Sequence, residues 1–549
     1  MAKIRLTKEN IVVRLEHYNE TLRCCSIRGA VKIYDDEYEF PHSSILPVIS
    51  TFYGYESIAE IKSAVASGAL PEIIYKLALK YDEQLDKTEQ LKSTGVESKP
   101  GEFLFKHQQL CREIAKINPR YAFFLETGTG KTPMSLQIIA DDLAEHPEHR
   151  WLVICPLALI NPAWIEDANK FFPNMRIGSL HKLKGDKLIT ALALNQVSVV
   201  NFESFKINID IYMNFGFEGC FVDESSKLKN NNSMTTKMAK KFCKVCKRWY
   251  LLSGTPAPNS MLEYYPQMYT VDNNLLSKSF TSFKAKWFYS YNAGGFEKYD
   301  ILPEKKAELI DIIKQKAIFI SKNDCLDLPE TMLEAREVTM DAATKKHYNT
   351  MKNELYASLK DTDVLAPSSV VALGKLNQLA SGFIMDADRT VHIISKAKLN
   401  TLLDLLEEIG DRQVIIWANF HAEFDMIKEA LGNKCVVYNG TKSLAEKDQA
   451  VKDFKEGKVQ YFVANPKSAA YGLTLVNCHD VVYYCLDYSY ETHAQSKDRT
   501  NRIGQTKSTT YYYLLMEKSI DYALFKCLHD KGQLAYSVLD HLKPDSDFK

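Results

Sequence analysis

The segment Glu126–Thr132, ETGTGKT, lies between an apolar run, Tyr121–Leu125, and a helical run, MSLQIIADDL. Strand, glycine-rich turn and helix are the setting a phosphate-binding loop requires. Gly128 and Gly130 free the backbone to turn its N–H groups, with those of Thr127 and Thr129, onto phosphate oxygens, and the start of the next helix adds a favourable dipole. Lys131 has the reach for β- and γ-phosphates, and Thr132 offers a hydroxyl to Mg²⁺. The general pattern begins with glycine, where this chain has Leu125. A chance glycine-rich turn is the competing reading, so a second site must support the first. Asp223 and Glu224, after the apolar run CFV, supply it: Asp223 to hold Mg²⁺ through water, Glu224 to orient or deprotonate an attacking water. Gln108, upstream, presents a donor and an acceptor that suit an adenine edge.

These residues need elements to position them. From about 102 to 275, short apolar runs (WLVICP, CFVDE, WYLLSGTP) alternate with helical stretches. Near-continuous apolar strands between helices imply a parallel sheet covered on both faces. The style returns after 396 in QVIIWANF, VQYFVAN, VVYYCLD and TTYYYLL. Between the two blocks lie helical patterns such as KKAELIDIIKQKA and ATKKHYNTMKNELYASLK. Ahead of them, β-like runs at 11–15 and 30–34 lead through DDEYEF into a helical pattern with Ile73, Ile74, Leu77 and Leu79, then a polar linker, 93–101. The expected fold is α/β, with two parallel-sheet lobes at 99–275 and 396–549, a helical insertion or linker at 276–395, and a small α+β accessory domain at 1–98.

Composition sets the bounds. The chain has 549 residues, too many for one core, with 46% hydrophobic and 25% charged residues, which argues against wholesale disorder. Its 69 basic and 69 acidic residues cancel, so any polyanion-binding surface is a local patch. Twelve scattered cysteines suit reduced thiols in a cytosolic or nuclear compartment. The start, MAKIRLTKEN, shows no secretory core, and no run is long enough to span a bilayer.

Gln108, ETGTGKT, DESSKLKN (223–230), LLSGTPAPN (251–259) and QSKDRTNRIGQ (495–505) occur in the order seen in helicase superfamily two. The details resemble its Swi/Snf branch of DNA translocases, above all the trailing RIGQ. CPLALI, NFES, DLPE and LNQLASG add further matches, and the resemblance spans about 100 to 535. There are departures. Ser226 stands where the branch usually has histidine, ETGTGKT is closer to DEAD-box helicases, and GLTLV replaces GxNLT. The compact size and DYSYE are more similar to small phage and bacterial members.

The resemblance implies two RecA-like lobes with ATP and Mg²⁺ between them. The first lobe would supply Gln108, Lys131, Thr132, Asp223 and Glu224. The second would supply Arg499 and Arg502, three residues apart and so on one helix face, and Gln495 toward the nucleotide. Ser253 and Thr255 would couple the γ-phosphate site to lobe movement. Pro156, Asn201, Lys229, Gly472 and Thr474 would lie near a nucleic-acid backbone. Lys227 belongs to a run, 225–250, with eight basic residues and no acid, and a basic run can contact phosphates without reading sequence. The implied partner is DNA, double-stranded or branched and sequence-independent, with no membrane. The leading expectation is a duplex-stimulated translocating ATPase. A strand-separating helicase on DNA or RNA is the alternative, disfavoured by RIGQ, KLKN and the want of a visible wedge. A DNA-binding scaffold with weak catalysis is a second alternative, opposed by the intact Lys131, Asp223, Glu224, Arg499 and Arg502. Cys243 and Cys246 form a CxxC with no second pair, and HPEH (146–149) reads as a polar loop.

Overall fold

A computed structural model describes residues 3–6, 10–14, 31–34, 37–41, 45–53, 58–96, 103–273, 275–293, 296–361, 366–469, 473, 475–502 and 504–540. The chain opens with β1 (Lys3–Leu6), β2 (Asn10–Arg14), β3 (Val31–Tyr34) and β4 (Glu37–Pro41), an antiparallel sheet in the order β1-β2-β4-β3. Ile11, Val13, Tyr38 and Phe40 face helices Ile45–Tyr53, Ile58–Ala66 and Glu72–Thr94, forming a small core of their own. The last of these helices does not stay with that module. Gln84 donates to the Ile117 carbonyl (3.0 Å), Asn118 donates to Thr88 Oγ1 (2.8 Å), and the buried Lys92 ammonium reaches the Lys314 carbonyl (2.7 Å). The 1–98 segment thus includes a whole helix, Glu72–Thr94, that is docked on the next lobe.

The first lobe contains β5 (Arg120–Leu125), β6 (Trp151–Cys155), β7 (Ile177–Ser179), β8 (Val197–Asn201), β9 (Gly219–Asp223) and β10 (Arg248–Leu252). A hairpin follows, β11 (Phe288–Ala293) and β12 (Phe296–Ile301), and then β13 (Ala317–Ile320). The sheet runs β13-β5-β10-β9-β6-β8-β7 and every pairing is parallel. It is covered on both faces: Ala122 and Phe124 enter one apolar cluster, Tyr121, Phe123 and Leu125 the other. This is what uninterrupted apolar strands encode.

The second lobe takes β14 (Thr331–Val338), skips a small ribbon, β15 (Phe383–Met385) and β16 (Val391–Ile393), and continues with β17 (Val414–Trp417), β18 (Cys435–Tyr438), β19 (Tyr461–Ala464), β20 (Asp480–Tyr483) and β21 (Thr509–Met516). Its sheet is also all parallel, in the order β14-β21-β20-β17-β19-β18. The 276–395 segment is therefore more than a helical insertion, since it gives an edge strand to each sheet. β13 had been absorbed into the helical pattern before it because KAIFI is too short to show a period. β14, TMLEAREV, carries charges because it is an edge strand whose residues are largely exposed. Among the described residues, no helix is long and apolar enough to cross a membrane.

Candidate functional site at the lobe junction

In an open parallel sheet, chemistry gathers at the carboxyl ends of the strands. Here Leu125, Cys155, Asn201, Asp223 and Leu252 end β5, β6, β8, β9 and β10 on one rim. The candidate phosphate loop leaves β5 there. Gly128 and Gly130 have φ of +91° and +81°, a conformation side chains resist, and helix Lys131–Glu145 starts immediately after. A Cβ on Gly130 would lie 2.0 Å from the Gln108 amide nitrogen, so a side chain there would displace Gln108 from the loop. Gln108 donates to the Thr129 and Gly130 carbonyls (3.0 and 3.3 Å) and accepts from the Phe105 N–H (3.0 Å), and His107 Nε2 lies 2.7 Å from the Thr129 oxygen. The Gln108 amide nitrogen thus braces the loop while its oxygen caps the start of its own helix, a task its sequence position did not reveal. Thr129 is locked by its hydroxyl to the Glu126 carbonyl (2.7 Å).

Lys131 donates to the Leu125 carbonyl (3.0 Å), at the mouth of the loop. Burial lowers its pKa, and the nearby carboxylates of Asp223, Glu224 and Asp498 oppose that. Thr132 stands in the first turn of the helix, where amide hydrogens have no acceptor within the helix. A triphosphate with Mg²⁺ fits this arrangement: a loop turned at two positive-φ glycines, an ammonium, a hydroxyl and a buried aspartate gather at one rim.

At the end of β9, Asp223 Oδ2 accepts from the indole N–H of Trp164 (3.0 Å), which is fully buried in a π-helical segment, Ile160–Ile165. Burial raises the Asp223 pKa, while Lys131 and the indole pull it down. Glu224 adopts φ +60°, a left-handed conformation costly for a non-glycine residue, of the kind that clusters at functional sites. Its Oε1 accepts from Ser226 (3.0 Å) and from Gln495 of the second lobe (3.3 Å). Burial first, and the neighbouring Glu491 second, push its pKa up to about 7.

Ser253 and Thr255 follow β10. The Thr255 N–H donates to Ser253 Oγ (3.2 Å), and Gly254 packs so closely on Thr127 that a Cβ would meet its backbone nitrogen at 3.1 Å. Gln267 joins this loop to the acidic one, accepting from Ser225 Oγ (2.8 Å) and donating to the Pro256 carbonyl (2.6 Å). Neither Gln267 nor Trp164 stands in a motif, and only folding brings them in.

The second lobe closes the rim. Helix Tyr490–Lys497 carries Gln495 but ends before Arg499 and Arg502, which corrects the expectation of one helix face. The chain turns because Leu475 N–H takes the Arg499 carbonyl (2.9 Å) and Lys322, from the first lobe, takes the Asn501 carbonyl (2.7 Å). The turns still bring both guanidinium groups together on the Leu473 carbonyl, at 3.1 and 3.5 Å. Arg499 also donates to the Gln495 carbonyl (2.9 Å). Arg502 lies against the phosphate loop: its Cβ is 3.1 Å from where a Gly128 Cβ would stand. The buried Lys322 ammonium also pairs with Asp498 across the lobes. A cavity of about 440 Å³ remains between the lobes, lined by residues including Thr127, Gly254, Thr255, Lys322, Tyr490 and Asp498.

The residues assigned to nucleic acid are less uniform. Pro156 and Asn201 sit at the rim ends of β6 and β8, both buried, with His181 Nδ1 3.2 Å from Asn201 Oδ1. Lys227 is exposed. Lys229 is tied to Glu491 across the lobes at 2.6 Å. Gly472 and Thr474 lie outside the described residues. Cys243 and Cys246 are buried free thiols. His146, Glu148 and His149, read as a polar loop, bring ligand atoms within 4.8 Å of one another, the one such group among the described residues.

The SNF2-related domain matches residues 122–391, and the helicase conserved C-terminal domain matches residues 397–504. Protein p41 of Acyrthosiphon pisum secondary endosymbiont phage 1 is 22% identical over 437 residues, 76% of this chain and 93% of that protein. An uncharacterized ATP-dependent helicase of Mycoplasma genitalium is 24% identical over 75% of this chain, which spans 40% of it. The Drosophila melanogaster SWI/SNF-related matrix-associated actin-dependent regulator of chromatin subfamily A-like protein 1 is 25% identical over 81% of this chain, and 57% of that protein is covered. Two parallel-sheet lobes, a candidate phosphate loop on the first, and Arg502 of the second packed against that loop agree with both domain matches: the chain belongs to the SNF2-related family of ATP-dependent helicase-like motors.

Proposed function

We propose that this chain hydrolyses ATP with Mg²⁺ at the lobe junction and uses lobe movement to translocate on double-stranded DNA, remodelling DNA structures or protein–DNA complexes. The observation that supports it most is the contact of Arg502 with Gly128, which makes the phosphate site complete only when the lobes meet. Lys131, with the loop amides of Thr127 to Thr132, would hold the phosphates, and Thr132 and Asp223 would hold Mg²⁺, whose charge offsets that building on the phosphates. Glu224 would orient and deprotonate water. Arg499 and Arg502 would face the γ-phosphate, and Gln495 would position Glu224 from across the cleft. Ser253 and Thr255, packed on the loop through Gly254, would pass its state to the lobe interface. Gln108 would meet adenine only by giving up a bond to the loop or to Phe105, so it serves as a brace first.

Nucleic acid would cross the rim ends of β6 and β8 at Pro156 and Asn201, with Lys227 and the segment around Gly472 and Thr474. Contacts there would be to phosphates and blind to sequence. The Drosophila relative is named a regulator of chromatin, which fits DNA as the partner. Strand separation stays as a second reading because of one observation absent from the sequence reading: the β11–β12 hairpin is solvent-exposed and shows Tyr289 and Tyr291, 46% and 40% exposed, on one face.

Steady-state ATP hydrolysis without nucleic acid and with duplex, forked, single-stranded DNA and RNA, using Lys131→Ala as blank, tests the proposal. Stimulation by duplex above the others is expected. Stimulation confined to single strands or RNA would transfer the assignment to a helicase, and hydrolysis equal to the blank would remove it.

A further inference from the structure

His146, Pro147, Glu148 and His149 join the phosphate-loop helix, Lys131–Glu145, to β6, at the edge of the first sheet opposite the rim. The four residues form a turn. The His149 N–H donates to the His146 carbonyl (3.1 Å), and Pro147 at the second position pre-sets the backbone angle that such a turn needs. Arg150 holds the turn by donating to the carbonyls of Pro147, Glu148 and His149 (3.4, 2.8 and 3.0 Å). A turn brings its first and last residues together, so the two imidazole rings lie 4.5 Å apart, centroid to centroid. Glu148 Oε1 meets both, 3.7 Å from His146 Nδ1 and 3.9 Å from His149 Nε2.

A buried group aims His149. Asp142, in the last turn of the same helix, places Oδ2 3.0 Å from His149 Nδ1 and 2.8 Å from the Trp151 indole nitrogen, and Arg248 pairs with its Oδ1 (3.2 Å). Indole and guanidinium only donate, so the Asp142 carboxylate accepts, and it accepts from His149 through an Nδ1 that carries hydrogen. The neutral ring then has its lone pair on Nε2, the nitrogen that meets Glu148. A carboxylate behind an imidazole, turning the other nitrogen outward, is how proteins orient histidine toward a metal. Glu218, just before β9, brings Oε2 to 3.7 Å from the same nitrogen. That oxygen also pairs with Lys247 (2.9 Å), whose side chain is 77% exposed, so exchanging this partner costs little.

We propose that His146, Glu148 and His149 bind a divalent transition-metal ion of the zinc type, with Glu218 or water as fourth ligand. Zinc takes imidazole nitrogen and carboxylate oxygen at about 2.0–2.2 Å in a tetrahedron, which sets ligand atoms about 3.3–3.6 Å apart. The 3.7 and 3.9 Å separations lie within a few tenths of an ångström of that spacing, and all three ligand atoms lie within 4.8 Å of one another. His146 and Glu148 are exposed and free to close the remainder, whereas His149 is fixed by Asp142. Imidazole favours zinc-like ions, while Mg²⁺ prefers oxygen ligands and water, so this site and the phosphate site select different ions. The ion would clasp the end of the phosphate-loop helix to the start of β6 and, through Glu218, to the start of β9. The helix is 15 residues long, so about 22 Å separates the clasp from the phosphate loop, and the ion takes no part in hydrolysis.

Calorimetric titration of zinc chloride into the untagged full chain, stripped with chelator and held in excess Mg²⁺ without ATP, tests the site. One equivalent should bind, and the melting temperature should rise with zinc until that equivalent is filled, because an ion held by the folded chain stabilises it. His146→Ala should weaken zinc binding about tenfold or more, and Glu148→Gln should weaken it in the same direction. Both side chains are exposed, so without zinc the two variants should melt with the parent. Cobalt(II) in place of zinc should show the d–d absorption of an ion held by nitrogen and oxygen, with no thiolate charge-transfer band, which separates this site from the buried thiols of Cys243 and Cys246. The absence of a saturable equivalent, an unchanged affinity in His146→Ala, or a thiolate band at the first equivalent overturns the proposal.

Discussion

Burial sets what the two carboxylates after β9 can do. Glu224, enclosed and beside Glu491, has its pKa pushed up to about 7, well above the ordinary carboxylate range. A base must be unprotonated, so kcat/KM for ATP should rise about tenfold per pH unit below 7 and level above it, and Glu224→Gln should abolish the rising limb along with turnover. Stability follows the same sign. Between the ordinary range and about 7, the folded chain holds a proton that the unfolded chain has released, so this group's contribution to stability falls as pH rises through that window. Thermal melting from pH 5 to 7.5 should show a shallower decline in Glu224→Gln than in the parent. Arg502 lies with its Cβ against the phosphate loop from the opposite lobe, and the role proposed for it is exerted across the cleft. Arg502→Ala should lower kcat by about 10³ or more while ATP affinity changes only a few-fold. A large loss of affinity with normal kcat would contradict a transition-state role. Lys131, Asp223 and Glu224 were legible as candidates from residue type and spacing because each would answer a chemical need of a triphosphate. Trp164, Gln267, Lys322 and Glu491 were not, because nothing local distinguishes a residue whose partner lies 42 to 265 positions away.

At the scale of elements, strands that are buried on both faces declared themselves: β6, β9, β10, β17, β19, β20 and β21 coincide with the apolar runs. Edge elements did not. β13 is four residues at the end of a helical pattern, and β14 alternates charge with apolar side chains that remain exposed. The β11–β12 hairpin was missed for a related reason, since of its described residues Phe288 enters the core and 289–292 are exposed, and no apolar period marks it. Its exposed tyrosines offer surfaces on which bases could stack, worth about 1–3 kcal/mol each. If the hairpin engages unpaired strands, Tyr289→Ala with Tyr291→Ala should weaken single-stranded or forked DNA binding about tenfold or more, with duplex-stimulated hydrolysis within about twofold. Equal affinities for forked DNA would assign the hairpin no such part.

The whole molecule is two lobes with an N-terminal module whose last helix has joined the first lobe. Deleting residues 1–98 would remove Thr88 and Lys92 from Asn118 and the Lys314 carbonyl, losing hydrogen bonds worth about 0.5–1.5 kcal/mol each, and would strip Leu91 from the core of the first lobe. Deleting 1–70 would leave that helix. We expect the shorter deletion to keep the parent's melting temperature and ATPase activity within about twofold while changing the preference among duplex, fork and junction DNA. The longer deletion should melt at lower temperature. An unchanged substrate preference in the shorter deletion would show that the module does not read DNA structure.

The sequence alone determined the two parallel-sheet lobes and the first-lobe candidate set, because buried strands require continuous apolar runs and phosphate chemistry would require particular residues at short spacing. Only the tertiary structure decided where the second lobe meets that set. It turned Arg499 and Arg502 off the helix and onto one carbonyl, engaged Gln108 as a brace, and joined Lys229 and Ser226 to Glu491. Each of these depends on distances between residues far apart in the chain, and pair distances across a cleft leave no period, composition or spacing in the sequence from which to read them.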